Sequence, residues 1–234
     1  MDLKEEDILG ADIGRHWYYR SKAAALRRMV GGLDARRILD VGAGSGFFSR
    51  HLLAETGAQS ALCVDIGYTS DRDDSEGGKP VLYRRDTGPT DCDLVLMMDV
   101  LEHVDDDRGL VRRYAEKVPP DTHFLATVPA FRFLWSGHDI FLEHKRRYRL
   151  PEIETTMRDA GLQVIHGAYY FGFIFPLAVV VRLAQRGAAE PKSSLKKHSA
   201  LTNGVLTAVC SAELPLLPAN RLAGLSAFVL AKKP

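Results

Sequence analysis

The chain has 234 residues, 46% of them hydrophobic and 26% charged, with a net charge of +1. This is the balance of an ordinary globular protein, long enough for one full-size α/β domain or two small ones, and it lacks the basic excess that nucleic acid as main partner demands. Cys63, Cys92 and Cys210 are scattered without CxxC spacing, which fits a reducing compartment and argues against a disulfide framework or a zinc site. The N-terminal MDLKEEDILGADIG has no basic region followed by an apolar run, so it does not read as a signal peptide and a cytoplasmic location is expected.

In chain order, an amphipathic helix His16–Val30 precedes a first strand, Arg37–Val41 (RILDV). A glycine turn leads into a helix Gly46–Glu55, then strands Ser60–Asp65, Pro80–Arg84 and Asp93–Met98. Gly67–Gly78 is polar and short for a strand–helix–strand connection, so any helix there reduces to a turn. A helix Asp106–Lys117, a strand His123–Val128, a helix Pro151–Asp159 and a strand Gln163–Tyr169 follow. Helices Phe173–Arg186 and Ala200–Glu213 flank a polar loop, Arg186–His198, and a strand Ala227–Lys232 closes the chain. There is no internal repeat. Strands alternating with helices imply a mostly parallel sheet covered on both faces.

The first strand runs into D-V-G-A-G-S-G at Asp40–Gly46. A strand–glycine turn–helix unit lets backbone approach a nucleotide at the carboxyl end of the sheet. A dinucleotide fingerprint needs G-x-G-x-x-G, and Phe47 stands where its third glycine belongs. The G-x-G-x-G loop with its preceding acid resembles motif I of the class I S-adenosylmethionine-dependent methyltransferases. Strand Asp93–Val104, D-L-V-L-M-M-D-V-L-E-H-V, is similar to the DxVxxxxVLEHV segment of the branch that includes the ubiquinone and menaquinone enzymes. The resemblance implies a single Rossmann-like domain of seven strands, mostly parallel with the last antiparallel. Residues 1–30 would form a helical lid, 31–128 the cofactor half and 129–234 the acceptor half.

It further implies S-adenosylmethionine as cofactor, S-adenosylhomocysteine as product, and a cofactor set of Asp40, Gly42, Ala43, Gly44, Gly46, Asp65, Ile66, Asp86, Thr87, Met98 and Asp99. Asp40 suits the ammonium group of that ligand. Asp65, ending the second strand, is placed to accept both ribose hydroxyls. Asp86 is either an acid against the adenine amino group or a turn residue before Gly88. Asp99 faces the methionine end, and His103 is either a structural histidine or part of the catalytic set.

After the fifth strand, SGHDIFLEHKRRY (Ser136–Tyr148) resembles a segment of a bacterial subgroup of these enzymes and overhangs the pocket mouth. His138 with Asp139, or His144, could act as base on a hydroxyl or amine. Arg146 and Arg147 offer forks for an anion, and Tyr148 and Trp135 could pack on the acceptor. The alternatives are a solvated charge run and aromatic core packing. His138, Asp139 and His144 have no recognisable metal-ligand spacing and no fourth ligand, so no metal is assigned to them. Trp17, Tyr18 and Tyr19 on the first helix close the pocket or pack in the core, and Arg20 could reach the cofactor carboxylate. Phe171–Ala184 is almost continuously apolar but shorter than the roughly 20 residues that span a bilayer. It reads as a helix buried over the sheet; the other possibility is an interfacial patch beside Lys192–Lys197.

The leading expectation is a methyltransferase acting on a small-molecule, glycan or lipid-linked acceptor, with O-methylation preferred. A nicotinamide-dependent oxidoreductase and a non-catalytic cofactor-binding protein are the alternatives.

Overall fold

The computed structural model describes residues 9–184 and 198–234; Lys192–Lys197, and with it the basic flank of the expected interfacial patch, lies outside them. Helix α1, Trp17–Val30, opens on His16, whose Nδ1 accepts the Tyr18 N–H at 3.3 Å. The strands are β1, Arg37–Val41; β2, Ser60–Val64; β3, Arg72–Glu76; β4, Lys79–Arg84; β5, Leu94–Met98; β6, His123–Pro129; β7, Gln163–Tyr170; and β8, Ser226–Lys232. The further helices are α2, Phe47–Glu55; α3, Asp107–Glu116; α4, Gly137–Phe141; α5, Leu150–Asp159; α6, Phe175–Ala184; and α7, Ala200–Glu213.

One sheet in the order β3-β4-β2-β1-β5-β6-β8-β7 carries the fold. Strands β4, β2, β1, β5 and β6 run parallel, β8 runs antiparallel between β6 and β7, and β3 pairs antiparallel with β4. All five residues of β5 are buried, the continuous apolar run that a parallel strand needs when helices cover both faces. On one face Leu26 of α1, Phe48 and Leu52 of α2 and Cys210 of α7 join a single buried cluster. On the other, Val111 of α3 packs with Ile153 and Met157 of α5. Each such side chain contributes about 1.5–3 kcal/mol on burial. Packing of this size, rather than intrinsic propensity, holds helices of nine or ten residues.

Two expectations change. The sheet has eight strands, not seven: the Gly67–Gly78 connection contains β3 rather than a degraded helix. Gly77 and Gly78 both have positive φ, 56° and 79°, the backbone of a two-residue hairpin turn that matches strand twist. The added strand is charged and exposed, as suits a sheet edge that must not pair further. The second change concerns α6. It is not buried over the sheet: no residue of it is buried, and Leu177 and Val180 are about two-thirds exposed. No described helix is long and apolar enough to cross a membrane.

Parallel strands end together at one edge. The Gly42 turn, Asp65, Asp99 and Ala130 therefore emerge side by side, from β1, β2, β5 and β6.

Candidate active site

The glycine loop is built for close backbone approach. Gly42, Gly44 and Gly46 all have positive φ. A Cβ on Gly42 would stand 2.7 Å from the Val100 Cγ2, and one on Gly46 2.7 Å from the Tyr83 hydroxyl, so neither position accepts a side chain. Gly42 N–H donates to the Val64 carbonyl at 2.7 Å, tying the turn to β2. Ala43 is buried within the turn.

Asp65 caps this arrangement. Its Oδ2 accepts the Gly44 N–H at 3.0 Å and its Oδ1 accepts the Gly67 N–H at 2.8 Å. A carboxylate has about four lone-pair sites, so two remain for a ligand. Ile66 beside it is 86% exposed, an apolar side chain projecting from the carboxyl edge. Asp86, by contrast, is exposed and paired with Arg113 of α3 and with Lys117 just after it, both at 3.0 Å, while its Oδ1 accepts the Thr87 N–H at 2.8 Å.

Asp40 points into α2, where its carboxylate accepts the Ser49 hydroxyl. Burial raises its pKa to about 6, against the Ser49 hydrogen bond, which lowers it. The folded state thus binds this proton more tightly than the unfolded chain, so the contribution is present below about pH 4 and is lost as pH rises through about 6. Asp40→Asn should remove the dependence. The stability gap between the variant and the parent is expected to shift by about 2–3 kcal/mol in the variant's favour between pH 4 and 7. Thermal melts that run parallel across that range would contradict it.

At the end of β5, Asp99 adopts φ 55° and is held from three sides. Its N–H donates to the Thr127 carbonyl at 3.0 Å, its Oδ1 accepts the Thr127 hydroxyl at 3.0 Å, and its Oδ2 pairs with Lys22 of α1. Lys22 is fully buried, and its ammonium also donates to the Tyr18 hydroxyl at 3.1 Å. Burial disfavours the Lys22 charge, but Asp99 overcomes it and holds the pKa above the ordinary value; the same pairing holds Asp99 below its own despite burial. Sequence reasoning missed Lys22. Its position four residues after Tyr18, in a run of alanines, is the signal that it faces inward. Met98, the last residue of β5, is buried in the core beside this pair.

Beyond Asp99 a cavity of about 190 Å³ opens. It is walled by Trp17, Asp99, His103, His138, His144 and Arg147, with Arg182 from α6 at its rim. The indole Nε1 of Trp17 is buried and has no hydrogen-bond partner among the described residues. The Tyr18 ring, also on the wall, stacks on Phe171 at 5.3 Å.

The histidine-rich segment is organised around Asp139, which is fully buried. As a helix cap it accepts the Ser136 N–H at 2.9 Å. It also accepts His144 Nδ1 at 3.0 Å and Arg147 Nε at 2.6 Å and Nη2 at 3.0 Å. Burial would push its pKa up, but the His144 and Arg147 hydrogen bonds bring it well below the usual carboxylate range. Asp139 thus serves His144, five residues on, and not its neighbour His138. With its Nδ1–H donating a hydrogen bond to the Asp139 carboxylate, His144 leaves Nε2 for the cavity. His138 is pushed down to about 4, chiefly by burial, and is neutral at pH 7.

Several expected neighbours lie elsewhere. Tyr148 and Ala130 form a parallel bridge, and alternation along that extended stretch sends Arg147 to the cavity and its two neighbours away. The Tyr148 hydroxyl is buried against the Leu101 carbonyl at 3.1 Å and Asp107 at 2.9 Å, and Arg146 donates to the Asp105 carbonyl at 2.8 Å. Arg147 itself is engaged by Asp139 and by the Ala130 carbonyl at 3.0 Å, so its fork shapes the segment. Trp135 turns outward while Leu134 takes the inward place. Tyr19 is buried in the core against Phe47 and Phe48, because one helical step carries it off the Tyr18 face, and Arg20 is exposed.

One cavity residue carried no weight in the sequence reading. Glu102, in the 3-10 turn Leu101–His103, is fully buried and neither carboxylate oxygen has a hydrogen-bond partner among the described residues. Burial and then the Asp99 charge push its pKa well above the ordinary value.

Comparison with known proteins accords with this geometry. A family model described as a methyltransferase domain matches residues 15–167. The chain is 32% identical over 158 residues to a ubiquinone biosynthesis O-methyltransferase of Proteus mirabilis, covering 58% of this chain and 64% of that one. It is 30% identical over 157 residues to the enzyme of the same name from Pseudomonas syringae pv. syringae, covering 57% of this chain and 67% of that one. Among solved structures, a SAM-dependent methyltransferase from Archaeoglobus fulgidus superposes with TM-score 0.55 at 19% identity, over 99% of this chain and 98% of that one. A Haemonchus contortus phosphoethanolamine N-methyltransferase 2 bound to S-adenosyl-L-methionine gives 0.54 at 20%, over 92% and 53%; these two likenesses concern the fold. The matched span contains the glycine loop, Asp65 and the β5 end, and on it the chain belongs to the methyltransferase domain family, as a class I S-adenosylmethionine-dependent methyltransferase related to the ubiquinone branch.

Proposed function

We propose that this protein transfers the methyl group of S-adenosylmethionine to a hydroxyl oxygen of a small organic acceptor held in the Trp17–His144 cavity. The observation that carries the reading is that His103, His138 and His144 share one cavity with Asp99, at the carboxyl end of β5. The residues fit the cofactor: glycines that tolerate no Cβ, a carboxylate with lone pairs to spare at Asp65, and the exposed Ile66 for a flat base. When bound, the cofactor supplies an electrophilic methyl carbon on a sulfonium.

The chain's own residues then have distinct tasks. Gly42, Ala43, Gly44 and Gly46 present backbone to the cofactor, with Asp40 fixing α2 behind them. Asp65 accepts the ribose hydroxyls. Asp99, tied to Lys22 and Thr127, sets the boundary between cofactor and acceptor. Trp17 Nε1 offers the acceptor a donor that nothing else described uses. Neutral His138 and the Asp139-oriented His144 face the acceptor hydroxyl and receive its proton. Most of the rate comes from holding the two reactants in line while the α1 aromatics exclude water. The named relatives act in ubiquinone biosynthesis; a hydroxylated aromatic ring is the acceptor class that an apolar cavity with a histidine cluster suits.

Three measurements test this. Calorimetric titration should show binding of S-adenosylhomocysteine and none of NAD. Incubation of labelled S-adenosylmethionine with a panel of phenols and amines should label the phenols. His144→Asn should then lower kcat by about 10²–10⁴-fold with unchanged S-adenosylhomocysteine affinity. Labelling of amines alone would end the O-methylation reading, and full activity in the variant would remove His144 as its base.

A further inference from the structure

We propose that the methyl acceptor carries an anionic group, and that Arg182 of α6 recognises it at the cavity rim while the acceptor hydroxyl points inward to Asp99 and the histidines. This rests on the methyl-transfer reading and adds to it the charge and the orientation of the substrate.

Helices at a protein surface put their charges in water and their apolar side chains inward. Helix α6 does the reverse. Arg182 is its single charged residue and is half-buried, and it shares the cavity wall with Ala178, one turn earlier on the same face. Leu177 and Val180 meanwhile stand 67% and 64% exposed. The start of the helix is fixed by Phe175, whose ring meets those of Phe131 and Phe133 at 5.4 and 6.3 Å. Turning a guanidinium toward a walled cavity while apolar side chains stay in water costs free energy, and an anion in that cavity offsets it.

The electrostatics of the wall point the same way. Burial and then the Arg147 charge press the Arg182 pKa below its ordinary value, and the opposing pull of Asp139 does not make up the difference. Asp139 is already taken by two hydrogen bonds from Arg147 and one from His144. Asp99 is matched by Lys22, and His138 is neutral. The positive potential of the cavity therefore gathers at Arg182, and a positive cleft with apolar walls attracts anions.

The forks expected from the sequence are engaged elsewhere, Arg146 by the Asp105 carbonyl and Asp107, and Arg147 by Asp139 and the Ala130 carbonyl. A planar guanidinium has five N–H donors, so Arg182 can give two of them to a carboxylate or phosphate beside its contacts with the protein. Arg182 also lies beyond residue 167, where the match to the methyltransferase domain ends, so this contact belongs to this chain and not to the shared span.

The test compares two phenols of one shape, 3-(4-hydroxyphenyl)propionate and 3-(4-hydroxyphenyl)propan-1-ol, on the full chain with S-adenosylhomocysteine bound. Calorimetry should show the acid binding about 10- to 100-fold more tightly than the alcohol. Arg182→Gln should abolish that margin by weakening the acid alone, and Arg182→Lys, which keeps the charge but not the fork, should fall between. In labelled methyl transfer, Arg182→Gln should raise KM for the acid by the same factor, with kcat within about twofold of the parent. Unchanged S-adenosylhomocysteine affinity in each variant reports an intact fold. A third compound, 2-(4-hydroxyphenyl)ethyl phosphate, separates the two anions: whichever of it and the acid binds more tightly names the group. Equal binding of anions and alcohol, binding of none, or a margin that survives in Arg182→Gln overturns the anion site. A margin that Arg182→Gln abolishes, in a protein that labels no phenol of the panel, leaves the anion site standing and overturns the methyl-transfer reading instead.

Discussion

Lys22→Met is expected to cost about 3 kcal/mol of stability and to lower Tm by about 6–12 °C for a chain of this size. The ammonium is completely buried, yet it stays charged because Asp99 and Tyr18 surround it. Methionine fills the same volume without answering Asp99, which then keeps a half-buried negative charge beside Glu102. The pair also joins α1 to the end of β5, so its loss frees the helix that carries Trp17 and Tyr18 over the cavity. Lys22→Met/Asp99→Leu should recover much of the stability, since replacing both partners of a buried pair by apolar groups is often neutral. It should not recover methyl transfer. A Tm for Lys22→Met within about 2 °C of the parent would show that the pair contributes nothing to stability.

Asp65→Ala is the second large effect, and it falls on cofactor affinity. The carboxylate accepts two backbone N–H groups, from Gly44 and Gly67, and keeps the lone pairs that a ribose would use. Hydrogen bonds to a charged acceptor contribute about 1.5–3 kcal/mol each. Losing the ribose contacts, together with the restraint on the loop, should raise the S-adenosylhomocysteine Kd by about 100-fold or more. Asp65→Asn, which retains one acceptor oxygen, should fall between. Calorimetry on the three proteins orders them, and an alanine variant that binds like the parent removes Asp65 from the ribose site.

What the chain reveals without its fold is local. RILDV followed by GAGSG declares a strand, a tight turn and a helix start, because positive φ and missing side chains are properties of adjacent glycines. The seven strands anticipated from apolar runs are present within a residue or two, since burial on both faces leaves a continuous apolar signature. The eighth strand escaped because Arg72–Glu76 has no apolar residue; only the Gly77–Gly78 turn marks it. Apolarity also misled at α6, where composition argued for burial and the helix lies at the surface.

Tertiary structure decided the chemistry of the cavity. In the string SGHDIFLEHKRRY, His138 and Asp139 stand together, but the turn at Glu143 with φ 59° brings His144 back onto Asp139. The bridge of Tyr148 to Ala130 then selects Arg147 over Arg146, because alternate residues of an extended stretch face opposite ways. Lys22 meets Asp99 across 77 residues, and Glu102 meets His144 across α3, β6 and α4. No period or spacing in the sequence encodes such contacts; they follow from where parallel strands end and from what the buried charges there require.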